Sequence, residues 1–243
     1  HPLEAQVDAL KRVTFQTQLG SQHDKSERVR ALVKSITAAI GGDPTLADRA
    51  AVLSKCDLLT HMVGEFPELQ GLMGRYYALH DHEPAEVAEA LREQYLPRFA
   101  GDALPATRTG MALSIADKLD TIAGIYATGQ KPTGTRDPFG LRRAALGLLR
   151  TSIEHGLDLD LQQLIEQAVA AALADMARVA TGQGKPLGAI DADKLAVEVY
   201  DYVIERLRAY YVEGTADITV SVEAFDAVLA TRPASALDFD ARL

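Results

Sequence analysis

Four polar side chains on two strongly apolar helical patterns are the best placed to do chemistry. Asp57 and His61 are four residues apart, and Asp117 and Asp120 are three apart, so each pair would share one helix face. Carboxylates and neutral imidazoles bind divalent metals, which activate water for attack on phosphorus. The spacing therefore allows a metal-dependent phosphohydrolase. A hydrogen-bonded Asp57–His61 pair that orients two helices is the simpler interpretation.

A basic segment at residues 131–150, KPTGTRDPFGLRRAALGLLR, is the second candidate site. Its basic residues are Lys131, Arg136, Arg142, Arg143 and Arg150, against the single acid Asp137. Asp137 and Pro138 are suited to begin a helix, which would place Arg142 and Arg143 on its first turns, where they can bind phosphates. A solvated helix face with ion pairs fits the same pattern. Arg75, Arg98 and Arg108 extend the patch if their loops fold toward it.

The composition favours helices as the elements that hold these residues. Ala and Leu dominate, β-branched runs are rare, and Trp is absent. Apolar spacing and capping residues predict helices at residues 2–19, 24–40, 43–64, 111–128, 137–154, 160–180, 193–213 and 222–230, with two more beginning at Pro67 and Pro84. Residues 95–110 and 129–137 should be loops, and residues 181–190 a linker. We expect an all-α protein without paired strands.

Charge and cysteine content limit the classes of function. The net charge of −9 makes the chain a poor bulk binder of nucleic acid, so any RNA contact must come from local patches. A single Cys, Cys56, fits a reducing compartment, and we expect a cytoplasmic location. No apolar run is long enough to span a membrane, so no membrane partner is expected. The chain begins at His1 without Met, which we interpret as a piece of a longer chain.

Five sequence words give the chain a resemblance to a known family. The words are KCDLLTHMVGEFPELQG, MGRYYALHD, EQYLPRFAGD, SIADKLDTIAG and KPTGTRDPFGLRRAALG. In this order they resemble the β subunit of the bacterial two-subunit glycyl-tRNA synthetase. They cover residues 16 to about 160, and weaker similarity continues to Leu243.

The resemblance implies a role in the ATP-dependent attachment of glycine to tRNA(Gly), with Mg used by the whole enzyme. In that family the catalytic site lies in the α subunit of an α2β2-type assembly. We therefore expect this piece to bind tRNA and support assembly, and to contain neither a catalytic residue nor a cofactor. Its candidate tRNA-binding residues are Arg75, Arg98, Lys131, Arg136, Arg142 and Arg143.

A further resemblance connects the chain to phosphohydrolases of the HD superfamily. In that pattern Lys25 and Cys56 stand where His ligands would be, while Asp57 and Asp117 are retained. A Lys ammonium has no lone pair for a metal, so we expect a degenerate site without metal. A residual metal-dependent phosphohydrolase is the alternative.

The resemblances also imply a division of the chain. We expect an HD-like helical domain with a lead-in helix at residues 1–180. A helical region at residues 191–243 would lead into a truncated anticodon-binding part.

Overall fold

Helices make up most of the described chain, residues 2–212 and 219–243 of a computed structural model. The α-helices are α1 Gln22–Ile40, α2 Pro44–Leu53, α3 His61–Glu65, α4 Leu72–His80, α5 Ala85–Glu93, α6 Arg108–Ala127, α7 Leu141–Glu154, α8 Leu161–Gly182, α9 Ala192–Ile204, α10 Arg206–Tyr211, α11 Val222–Ala230 and α12 Ala236–Arg242. The predicted all-α class is confirmed.

Helix α6 lies at the centre of the fold. It is buried on nearly every side, as expected for a helix that is apolar all round, and it packs against α1, α2, α5, α7, α8 and α9. One apolar core runs from Leu3 through Phe239. Because α6 is enclosed, its two acids have little access to solvent: the side chain of Asp120 is 1% exposed and that of Asp117 is 15% exposed.

The first twenty residues do not form the predicted helix. They form the 3₁₀ helices Leu3–Gln6 and Asp8–Arg12 and an antiparallel hairpin of β1 Thr14–Gln16 and β2 Gly20–Ser21. The side chain of Gln16 accepts hydrogen bonds from the backbone of Gln18 and Leu19 and closes the turn. The expectation of no paired strands is therefore wrong at this one hairpin.

The single helix predicted over residues 43–64 is also wrong. After α2 the chain forms the 3₁₀ helix Cys56–Leu59 and then α3. Thr60 is extended between them, at φ −84° and ψ 148°, and its side chain caps α3. Because of this break, Asp57 and His61 do not share a helix face.

Three later boundaries differ from the predictions. Gly140, in the left-handed region at φ 65°, delays α7 to Leu141. The helix predicted over 193–213 divides at Glu205 into α9 and α10, and α12 was not predicted. The chain between α8 and α9, at residues 183–191, lies close to the predicted linker, and α9 packs against α6, α7 and α8. Helix α11 is confirmed at its predicted bounds.

Close packing at Gly110 gives a test of the fold around α6. A Cβ there would lie 1.8 Å from Oε2 and 2.8 Å from Cβ of the buried Glu93. The Glu93 carboxylate accepts hydrogen bonds from Ala106 and Thr107 at the start of α6. We expect Gly110→Ala to lower the free energy of unfolding by about 1–3 kcal/mol, because overpacking displaces this carboxylate. Urea denaturation measures the change.

Gly64→Ala is the matched control for Gly110→Ala. Gly64 is in α3, and a Cβ there would meet nothing within 4 Å. We expect the exchange to raise stability by up to about 1 kcal/mol through helix propensity. Equal stabilities for the two variants would contradict the tight contact at Gly110.

Candidate functional site

Asp117 on α6 lies between two lysine ammonium groups. Its Oδ1 is 2.9 Å from Nζ of Lys55 and 3.4 Å from Nζ of Lys25. Burial raises the pKa of the Asp117 carboxyl, but the charges of Lys25 and Lys55 outweigh burial and hold this pKa well below its usual range. Asp117 is therefore an ionised carboxylate neutralised by protein cations.

Asp120, one helical turn further along α6, joins the same cluster. Its Oδ2 is 3.0 Å from Nζ of Lys25, and its Oδ1 is 2.7 Å from Nε of Arg28. Arg28 also contacts Asp175 of α8 at 2.7 Å. The side chain of Asp120 is only 1% exposed, so these ion pairs lie inside the protein and connect α1, α6 and α8.

Two of the four predicted HD-like positions lie apart from this cluster. Cys56 is buried, burial raises the pKa of its thiol to about 12, and its Sγ faces the carbonyl oxygen of Val52. The Asp57 carboxylate accepts hydrogen bonds from the backbone of Gly71 and Gly74 at 2.6 and 3.1 Å. The Asp57 carboxylate therefore holds the start of α4 through these hydrogen bonds. The structure brings together Lys25 and Asp117 and leaves Cys56 and Asp57 outside.

The residues around Asp117 do not fit a divalent metal. Lys25 and Lys55 place two cations at the carboxylate that a metal would need, and an ammonium group donates no lone pair. The Cys56 thiol is protonated at neutral pH, and a thiol must lose its proton to bind a metal. Across residues 2–212 and 219–243, no group of three His, Cys, Asp or Glu side chains could hold a metal ion. This arrangement of side chains therefore supports no metal-dependent step.

Sequence reasoning missed two lysines of the site, Lys55 and Lys118. Lys55 donates to the side chain of Gln94 at 2.7 Å. Lys118 donates to the carbonyl oxygens of Gln94 and Leu96 at 3.1 and 2.8 Å, and its burial lowers the pKa of its ammonium group to about 8. The available signal was their position, since each adjoins a predicted site residue in the sequence.

A cleft of about 490 Å³ opens beside Asp117, and we call it the basic cleft. Its charged walls are the cations Arg98, Lys118 and Arg143 and the acids Glu68 and Asp117. The structure therefore brings together two of the predicted tRNA-binding residues, Arg98 and Arg143. Arg98 pairs with Asp102 at 3.4 Å. Arg143 is exposed and forms no hydrogen bond or ion pair with any described residue.

The other predicted basic residues have different surroundings. Arg142 donates to the carbonyl oxygen of Gly134 at 2.6 Å and ties its loop to α7. Lys131 pairs with Glu198, and Arg136 is exposed in the same loop.

Two candidates lie away from the basic segment. Arg75 pairs with Glu89 at 2.6 Å and does not line the basic cleft. The Arg108 guanidinium donates to the carbonyl oxygen of Ile40 at the end of α1, so it does not extend the basic patch.

The N-terminus of α7 is already occupied by a carboxylate. Asp137 accepts hydrogen bonds from the backbone N–H groups of Leu141 and Arg142 at 2.8 and 2.9 Å. The helix begins at Leu141 rather than at Pro138, so Gly140 and not Asp137 is the N-cap residue, although the Asp137 carboxylate still accepts hydrogen bonds from the first two N–H groups. A phosphate at α7 would therefore meet the arginine side chains rather than free N–H groups.

The fold and site define an all-α protein with carboxylates neutralised by buried cations beside a basic cleft. A sequence profile described as glycyl-tRNA synthetase beta subunit matches residues 1–230. The chain belongs to this family. The predicted resemblance is confirmed.

Individual relatives agree with this assignment. The chain is 50% identical over 241 residues to the glycine–tRNA ligase beta subunit of Ectopseudomonas mendocina. The aligned region covers 99% of the chain and 33% of the relative. It is 51% identical over 243 residues to the protein of the same name from Pseudomonas putida strain W619, covering 100% of the chain and 33% of the relative. It is 49% identical over 241 residues to the glycine–tRNA ligase beta subunit of Hahella chejuensis. That alignment covers 99% of the chain and 32% of the relative. The chain thus spans about a third of the length of these relatives.

Within the described parts of the chain, no helix has both the length and the apolar character needed to cross a membrane.

Removing the Asp117 charge tests the ion-pair cluster. Asp117→Asn leaves Lys25 and Lys55 beside a neutral amide, and breaking a buried pair in this way costs about 3–5 kcal/mol. Because Lys25 keeps Asp120, we expect a loss of about 3 kcal/mol, at the lower end of that range. Urea denaturation at neutral pH measures it. The control Glu27→Gln, at an exposed carboxylate, should change stability by less than about 0.5 kcal/mol, and an equal effect in both variants would contradict the cluster.

Acid should remove the contribution of Asp117. Its pKa is lower in the folded chain than the unfolded value of about 3.9, so its stabilising effect is complete above about pH 4 and is lost as the pH falls further. The difference in unfolding free energy between the parent chain and Asp117→Asn should therefore shrink between about pH 4 and about pH 3. Paired urea titrations across this range measure it. A difference that does not depend on pH would contradict the low pKa.

Proposed function

We propose that this chain is the tRNA-binding part of a glycine–tRNA ligase β subunit. The whole enzyme would attach glycine to tRNA(Gly) in the cytoplasm, with ATP and Mg, in an α2β2-type assembly with its α subunit. This chain would contribute tRNA affinity and support for the assembly. The family assignment and the names of the relatives support the reaction.

The observation that carries the proposal is the exposed guanidinium of Arg143. It lies on the first turn of α7, at the basic cleft with Arg98, and no described residue neutralises it. In a chain of net charge −9, an exposed cation with no partner among the described residues can attract an anion locally, which supports the proposal. Backbone phosphates are the anions that arginines bind in RNA.

The acids of the site support a structural rather than catalytic role. Asp117 and Asp120 are neutralised by Lys25, Lys55 and Arg28, so they are not free to bind a metal or to accept a proton from water. We assign the degenerate HD-like positions to stability. In this proposal residues 1–180 form the HD-like domain, and residues 191–243 lead toward an anticodon-binding part.

Charge reversal on α7 tests tRNA binding in the full two-subunit enzyme. We expect Arg142→Glu combined with Arg143→Glu to lower the affinity for a tRNA(Gly) transcript by about tenfold or more, because each charged hydrogen bond contributes about 1.5 kcal/mol or more. The dependence of affinity on salt should also become weaker, since fewer phosphates are neutralised. Filter binding at several salt concentrations measures both effects. Glycine-dependent exchange of pyrophosphate into ATP should be unchanged, because it does not need tRNA.

Two variants control for this experiment. Arg12→Glu changes another exposed arginine that does not line the basic cleft and should leave tRNA affinity near the parent value. Arg143→Glu alone separates the free guanidinium from Arg142, which also anchors its loop. Unchanged affinity and salt dependence in the double variant would refute tRNA binding at this helix.

A further inference from the structure

A second cavity lies on the other side of Arg143, between α7, α10 and the chain after Pro97. Its volume is about 240 Å³. Its apolar wall includes Pro97, Phe99 and Leu146, and we call it the arginine-rimmed cavity. Pro97 and Arg143 line both this cavity and the basic cleft, so the cavity and the cleft are adjacent.

The apolar wall combines a fixed part with an exposed aromatic ring. The ring of Pro97 lies directly against α7, since a Cβ on Gly147 would be 3.1 Å from its Cγ. Phe99 lines the cavity and is 57% exposed, so more than half of its surface is accessible to a ligand.

Four arginines surround this wall: Arg142, Arg143, Arg150 and Arg206. Arg150 pairs with Glu154, whereas Arg143 has no partner among the described residues. The Nε of Arg206 is buried and lacks a hydrogen-bond partner in the described chain. No acidic side chain is among the described residues that line the cavity. An apolar wall beside Arg143 and Arg206, which form no ion pair with a described residue, suits a ligand that is both flat and anionic.

We propose that the arginine-rimmed cavity holds the base of an unpaired tRNA nucleotide. The base stacks on Phe99 and its flanking phosphates meet Arg143 and Arg206. This inference rests on the proposed tRNA-binding function and adds which kind of nucleotide is bound.

Size and chemistry both favour a single unpaired base. Pockets for drug-sized ligands enclose about 300–1,000 Å³, so a cavity of about 240 Å³ suits one ring system and leaves the sugar and phosphates outside. Proteins recognise single-stranded RNA by stacking its bases on aromatic rings and on guanidinium planes. A base inside a duplex cannot present its face in this way. The cavity therefore selects a loop, a bulge or a single-stranded end.

Paired substitutions at Phe99 test the stacking contact in the full two-subunit enzyme. We expect Phe99→Ala to weaken binding of the tRNA(Gly) transcript by about fivefold or more, and Phe99→Tyr to retain binding, because Tyr keeps the aromatic face. Phe66→Ala is the matched control, since Phe66 is 51% exposed and lines neither cavity. Loss of affinity in Phe99→Ala and not in Phe66→Ala supports the proposal, and equal affinity in both overturns it.

The two proposals fail separately. If charge reversal at Arg142 and Arg143 weakens tRNA binding but Phe99→Ala does not, the tRNA-binding function stands and the base-binding cavity is wrong. If neither change has an effect, both proposals are wrong.

Photo-crosslinking identifies the occupant. The variant Phe99→p-benzoylphenylalanine, assembled with the α subunit and the tRNA(Gly) transcript and then irradiated, should crosslink to a nucleotide that is unpaired in the tRNA. Crosslinking to a base-paired stem or to protein, or the absence of any crosslink to RNA, would overturn the proposal. A crosslink to protein would assign the cavity to a subunit contact instead.

Discussion

The ion pairs on one side of α6 are the constraint on which the rest of the structure depends. Asp117 and Asp120 are one turn apart on the most enclosed helix of the protein, and each needs a cation because an unpaired buried charge is strongly destabilising. Lys25 and Arg28 on α1 and Lys55 after α2 supply these cations. The pairs therefore fix how α1, α2 and α6 pack. Buried ion pairs do not always add net stability, but removing one partner is costly, so the cluster favours one arrangement of these helices over others.

The same lysines connect this interior cluster to the outer surface. Lys55 and Lys118 bind the side chain and the carbonyl oxygen of Gln94, and Lys118 also binds the carbonyl oxygen of Leu96. This segment leads directly to Arg98 and Phe99, which line the two cavities. The buried lysines thus help to position the chain that carries Arg98 and Phe99. At Asp117 the cations that pair with the carboxylate are the lysines of the protein itself.

The sequence predicted the all-α class correctly and named Lys25 and Asp117, which the structure places in contact, and the failures have physical causes. Apolar periodicity identified α6 and α11, because packing and helix propensity agree there. It failed at residues 2–19 and 43–64, where local hydrogen bonds of Gln16 and the extended backbone of Thr60 interrupt a helical apolar pattern. Asp117 was noticed as a carboxylate on a strongly apolar helical pattern, and Lys25 through the resemblance to the HD superfamily. Lys55 and Lys118 adjoin predicted site residues in the sequence, but their partners could not be assigned, because those contacts depend on distances between segments that are far apart in the sequence.

Helix α7 concentrates positive charge on one face within a chain of net charge −9. One face of the helix buries Leu141, Ala145 and Leu148 in the core, and the opposite face presents arginines to the two cavities. Burial of the apolar face fixes the helix backbone that carries the guanidinium groups. Binding of an anion there would therefore cost less conformational entropy than binding to a mobile segment. At physiological salt, charges separated by more than about 8 Å are largely screened, so the acids elsewhere on the surface weaken such a site only slightly. The local arrangement of charge, rather than the net charge, therefore decides what this surface can bind.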